Sequence, residues 1–119
     1  MKIIGIDRDR SSDDLNFGDR YLILDEVPSR TWTNFFEDSY RNYFSPMKRK
    51  AYLKESYIVV QCPFSELQDQ ITCLGKIVSS TNERFEAWRE AALREAEERE
   101  RSQEEQKKIA DEAYKNLKF

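Results

Sequence analysis

The 119-residue chain contains no histidine. Imidazole is the side chain most often used as a general base near neutral pH, so its absence excludes Ser-His-Asp and Cys-His nucleophilic sites. Glycine is nearly as scarce. Gly5, Gly18 and Gly75 stand far apart, and no phosphate-cradling loop of Walker or dinucleotide type can be assembled from them. The only cysteines, Cys62 and Cys73, make a poor metal set without histidine and read as buried free thiols in a reducing compartment. No run of about 20 apolar residues occurs, and the apolar stretch at residues 1–7 is too short for a signal peptide. These absences predict a soluble, cytoplasmic protein with no membrane contact, no metal and no cofactor.

What is present is charge and aromaticity. Charged residues make up 36% of the chain and apolar residues 39%, while aromatics reach 13%. That aromatic share argues against wholesale disorder, so a core exists, built from a body of about 80 residues. The net charge is −3, from 20 basic and 23 acidic residues. No global field therefore favours nucleic acid or an anionic membrane, and any such contact has to be local.

The apolar pattern predicts an α+β fold. Ile3, Ile4 and Ile6 read as a first strand ended by Asp7, and Tyr21-Leu22-Ile23-Leu24 as a second, separated from it by a polar loop. Ser29 or Thr31 then caps a helix with Trp32, Phe36, Tyr40 and Tyr43 on one face, widened by Phe35 and Phe44, and Pro46 ends it. Ala51-Tyr52-Leu53 and Tyr57-Ile58-Val59-Val60 form a hairpin around Lys54-Glu55-Ser56, the second of them a central strand. A capping box at Ser65-x-x-Gln68 opens a helix carrying Leu67, Ile71, Leu74 and Val78. A second box at Ser80-x-x-Glu83 restarts a helix through Phe85, Trp88, Ala92 and Ala96. The expected order is ββαββα, a small and mostly antiparallel sheet with helices on one face, followed by a long charged C-terminal helix. By this reading residues 1–80 form the body. Residues 81–119 form the long helix, packed on the body to about residue 96 and projecting beyond.

From Glu97 to Lys108 there is no apolar residue, no glycine and no proline. Glu90/Arg94, Glu95/Arg99, Glu97/Arg101 and Glu104/Lys108 lie four apart with the acid first, each pair adding about 0.2–0.5 kcal/mol of helix stability. The tail can thus run as one rod of up to about 55 Å. Apolar character returns at Ile109, Ala113, Tyr114 and Leu117, spaced as one helical face. A surface of this kind has to be covered by a protein partner, by a second copy or by the body. Read in heptads from Phe85, the a and d positions include Glu95, Arg99, Ser102 and Gln106, which excludes a continuous heptad coiled coil.

Four local patterns raise other chemistries. Asp7-Arg8-Asp9 after the first strand resembles the opening Asp-x-Asp of haloacid-dehalogenase-type phosphotransferases, with Ile77-Val78-Ser79-Ser80 in the place of their second motif. The resemblance implies Mg²⁺-dependent phosphoryl transfer through Asp7 and Asp9 on a parallel sheet, whereas everything after Thr81 reads as helix. Lys2 to Asp7 also resembles the first strand of RNase H-like nucleases, without their further carboxylates. Asp7-x-Asp9-x-Ser11 starts like an EF-hand, but Ser12 and Gly18 stand where glycine and glutamate are needed. The one basic stretch, Arg41, Lys48, Arg49, Lys50 and Lys54, interleaves with Tyr43, Phe44 and Tyr52 and offers a candidate nucleic-acid contact. Lysines beside an edge strand also serve to block aggregation. The sequence as a whole predicts a non-catalytic interaction module, a small bacterial or phage regulator, inhibitor or immunity-type protein. Its partner, another protein or a second copy, is engaged by the C-terminal helix.

Overall fold

The computed structural model describes residues 1–119 and is α+β. In chain order it contains β1 (Ile3–Asp7), β2 (Gly18–Leu24), α1 (Arg30–Asn42), β3 (Ala51–Lys54), β4 (Tyr57–Cys62), a 3-10 turn (Phe64–Glu66) and α2 (Leu67–Lys115). The sheet order is β1-β2-β4-β3, with every neighbouring pair antiparallel. β4 is therefore interior, as its apolar run predicts, and β2 begins at Gly18, three residues before the apolar run. By contacts the chain divides into Met1–Phe85 and Glu86–Phe119.

Alternation sets the core of the first unit. Leu22 and Leu24 of β2 and Ile58, Val60 and Cys62 of β4 share one sheet face, and on it pack Trp32 and Phe36 from α1 and Leu67, Leu74, Ile77 and Val78 from α2. Trp32 and Phe36 stack at 5.5 Å, and Phe36 stacks on Tyr40 at 6.3 Å. Burying side chains of this size contributes roughly 2–3 kcal/mol apiece. Ser29 is the α1 cap, accepting the Trp32 N–H at 3.1 Å through its hydroxyl. The helix stops at Asn42, where Tyr43 turns extended. Phe44, expected to widen the buried face, lies beyond the helix and is fully exposed.

The second correction concerns α2. Ser80-x-x-Glu83 is not a capping box, because Ser80 sits inside one uninterrupted helix. Leu67, Gln70, Leu74, Ile77, Val78 and Thr81 are all buried at spacings of three or four, so the apolar stripe keeps its phase through Ser79 and Ser80, which face solvent. A break there would have thrown the stripe out of register. Gly75 likewise lies inside the helix, exposed, with nothing near its missing Cβ.

Polar groups fasten the helices and the N-terminus together. Asn82 accepts the Trp32 indole N–H at 2.9 Å and donates to the Met1 carbonyl at 2.6 Å. Arg84 pairs with Asp38 at 2.8 Å and lies over the Phe35 ring. Gln70, buried, donates to the Met47 carbonyl at 2.5 Å and fixes the segment between α1 and β3. At the β3–β4 turn Glu55 adopts φ 54°, a left-handed conformation that glycine accepts more readily than glutamate. No helix is long and apolar enough to cross a membrane.

Candidate interaction surfaces

Asp7, the residue behind the phosphotransferase and calcium patterns, is the hub of a turn. One carboxylate oxygen accepts the backbone N–H groups of Asp9 and Arg10, both at 3.2 Å, and the other accepts the Tyr57 hydroxyl at 2.8 Å. The Tyr57 hydroxyl bond, followed by the Arg10 amide, holds the Asp7 carboxyl below its ordinary pKa. The same hydrogen bond raises the Tyr57 phenol above its own. Arg10 lies 5.2 Å from the Tyr57 ring and near both Asp7 and Glu55. Asp9 contributes its amide to this turn and is exposed. Nowhere do three or more carboxylates or thiols converge as a metal set. Such an arrangement aligns a loop on a strand end, with three donors gathered on one carboxylate.

The basic residues lie at the end of α1, on the segment that follows it and at the two ends of β3. Arg41 is exposed in the last turn of α1. Lys48 sits 4.3 Å from the Tyr40 ring and donates to the Arg41 carbonyl, and Arg49 forms a 2.6 Å ion pair with Glu66. Lys50 and Lys54 are exposed at the two ends of edge strand β3. Two of the five cations are thus engaged within the fold. Beside Arg41 and Lys48, the exposed Phe44 rims a depression of about 540 Å³ with Tyr43 and Pro46.

Two features escape a reading of the sequence by motif. The first is Arg20, only 2% exposed, which donates to the carbonyls of Cys62, Ser12 and Asp14 at 3.3, 2.7 and 2.6 Å. Its position was legible in principle: Arg20 has the same parity on β2 as Leu22 and Leu24 and so points to the core. The second is the sheet face opposite the helices. In register across the strands lie Asp7, Tyr21, Val59 and Tyr52, and beside them Gly5, Ile23, Tyr57 and Lys54. Tyr21 and Tyr57 meet edge to face at 5.5 Å, and Val59, flanked by Tyr21 and Tyr52, is fully buried. A sheet with one solvated face ordinarily alternates apolar and polar residues. Tyr-Leu-Ile-Leu and Tyr-Ile-Val-Val do not alternate, and that continuity is the signal of an apolar second face.

The second unit differs in kind. Every residue from Glu86 to Phe119 is exposed. Glu90/Arg94 and Glu95/Arg99 approach to 3.9 and 3.6 Å, as their spacing predicts. Of the four residues singled out at the far end, Ile109, Ala113 and Tyr114 lie on α2, and Leu117 falls just after its last residue, its N–H bonded to the Tyr114 carbonyl. Ile109 is 64% exposed, Tyr114 70% and Leu117 55%. Comparison with protein-family models, with curated proteins and with solved structures yields no match.

Proposed function

We propose that the chain is a non-catalytic interaction module, acting through the C-terminal part of α2 on another protein chain, in the manner of a small bacterial or phage regulator, inhibitor or immunity-type protein. One observation carries this reading: the helix continues through Glu86–Lys115 while burying none of it, and still bears Trp88, Leu93, Ile109 and Tyr114. Ordering a residue's backbone costs about 1–2 kcal/mol. Exposed i,i+4 ion pairs return only about 0.3–0.5 kcal/mol each, so a helix of this kind gains most when its apolar side is covered. The partner contact is assigned to Ile109, Ala113, Tyr114 and Leu117.

The direct test is binding measured by affinity capture from cells that produce the chain, with Ile109→Glu, Ala113→Glu and Leu117→Glu set against the unsubstituted protein. Loss of a captured protein in the substituted chain is the expected result. Capture that survives all three substitutions would remove this surface from the proposal. A Mg²⁺-dependent phosphatase or nuclease activity abolished by Asp7→Asn or Asp9→Asn would replace it with a catalytic function.

The open sheet face is a second contact surface by the same reasoning, supported by the apolar residues Tyr21, Ile23, Tyr57 and Tyr52 on the side away from the helices. Binding of single-stranded nucleic acid at residues 41–54 would show as salt-sensitive affinity lost on replacing Lys48, Arg49 and Lys50 by alanine.

A further inference from the structure

Residues of β1, of the loop after it and of the segment that opens α2 line a second depression, of about 450 Å³, a size that suits a small organic molecule. Ile6, Leu15, Phe64 and Leu67 give it apolar walls. Leu15 is 64% and Phe64 57% exposed, so part of this apolar surface faces water. Arg20 lines the same depression while only 2% exposed. No carboxylate lies within ion-pair distance of its guanidinium. Its hydrogen bonds to the carbonyls of Cys62, Ser12 and Asp14 use three of the five N–H donors that a guanidinium carries. Carbonyl oxygens bring partial charge only. A full positive charge thus stays out of water with two donors to spare, although buried charges are ordinarily paired because desolvation without a counter-ion is costly.

The other charged groups on the lining are Arg8 and Asp13, both exposed. They are opposite in sign, and water screens them far more than it screens Arg20. Ser12 also lines the depression. Its hydroxyl oxygen accepts the Asp14 N–H at 3.1 Å, and its own O–H remains able to donate. This wall is built in advance, since the Ser12 N–H bonds the Asp19 carbonyl at 2.9 Å and the Ser12 side chain occupies the space that a Cβ at Gly18 would need. We infer that the depression binds a small organic carboxylate with an apolar body, an aryl- or alkyl-substituted acid. The carboxylate takes the remaining N–H donors of Arg20 and the Ser12 hydroxyl, and the apolar body lies on Leu15, Phe64 and Leu67. A guanidinium fork suits a planar carboxylate, and the apolar walls add affinity that an inorganic anion cannot gain. The inference concerns Met1–Phe85 alone and does not rest on the protein contact assigned to the far end of α2.

The experiment is an NMR titration of the full, isotope-labelled chain at neutral pH with 3-phenylpropionate and with octanoate, each set against its primary amide. Backbone amides and arginine Nε–H signals are followed. Saturable shifts of Ser12, Leu15, Phe64 and the Arg20 Nε–H are expected, with a dissociation constant of about 0.1–1 mM for ligands of this size. The amides keep the shape and lose the charge. They are expected to bind at least about tenfold more weakly, because hydrogen bonds to an ionised acceptor are roughly twice as strong as neutral ones. Phe64→Ala should weaken binding of both acids about fivefold by removing an apolar wall, whereas Phe44→Ala, at the other depression, should leave it unchanged. Arg20 itself stays in place, because its carbonyl bonds hold the loop, and the comparison of acid with amide tests its charge without disturbing the fold. No saturable shift with either acid up to about 10 mM, equal binding of acid and amide, or undiminished binding to Phe64→Ala would overturn the inference. Its failure leaves the capture experiment on Ile109→Glu untouched, and failure of that experiment leaves this site standing.

Discussion

The two stretches of α2 are one helix held by different forces. From Leu67 to Phe85 one face is buried against β2, β4 and α1, with Leu74, Ile77, Val78 and Thr81 nearly inaccessible. From Glu86 onward nothing is buried, and the residues are those of high intrinsic propensity, alanine, glutamate, arginine, lysine and glutamine, tied by pairs four apart. The mean composition of the helix hides this division. The contrast shows that helicity alone says nothing of where a helix gets its stability: the first stretch is specified by tertiary packing, the second by local propensity and by whatever comes to cover it.

Substitutions sharpen the contrast, beginning with the largest effect. Phe36→Ala in the packed unit should destabilise it by about 3–5 kcal/mol, read by denaturant unfolding, and no substitution after Glu86 should approach that figure in the monomer. Arg20→Ala should follow at about 3 kcal/mol, because the carbonyls of Ser12, Asp14 and Cys62 lose their donor in a buried place. Faster proteolysis within residues 8–17 would report the same loss of anchorage. Ala96→Gly, in the exposed stretch, should lower helicity locally by about 1 kcal/mol. Far-UV circular dichroism should register that change while the unfolding midpoint of the first unit stays put. Coincident loss of both would mean that the two stretches are one cooperative structure. Glu55→Gly should stabilise by about 0.5–1 kcal/mol by relieving the left-handed turn.

The smallest effect is one of pH. Asp7 has a lowered pKa in the fold, owed first to the Tyr57 hydroxyl. Its stabilisation is present above the ordinary carboxylate pKa and fades as pH falls through the lowered value. Tyr57 has a raised pKa, so its contribution is present below the ordinary phenol pKa and fades as pH rises through the raised one. Tyr57→Phe should move the Asp7 titration, followed by carboxyl NMR, back up towards its ordinary value. An unmoved titration would show that the hydroxyl bond is not the main cause.

Strands and helices were legible where a single physical signal dominates. The apolar runs at Tyr21–Leu24 and Tyr57–Val60 mark strands, and Ser29 before the aromatic repeat marks a helix start that the structure contains. Ser80-x-x-Glu83 misled because serine three residues before glutamate arises readily in a polar helix. Only the unbroken phase of Leu74, Ile77, Val78 and Thr81 distinguishes a capping box from a solvated turn. Phe44 misled because its aromatic character outweighed the end of the helix at Asn42. The Asp7 turn was visible as an acidic pattern, but its partner Tyr57 is 50 residues away, a contact that only strand order creates.

Backbone amide hydrogen exchange along α2, measured on the full chain at low and at high protein concentration, tests most directly whether the helix divides into a stretch held by packing and a stretch held by local propensity. Amides of Leu67–Phe85 are expected to be protected at both concentrations. Those of Trp88–Tyr114 are expected to exchange rapidly in dilute solution. Equal protection of both stretches in dilute solution would contradict the division between them.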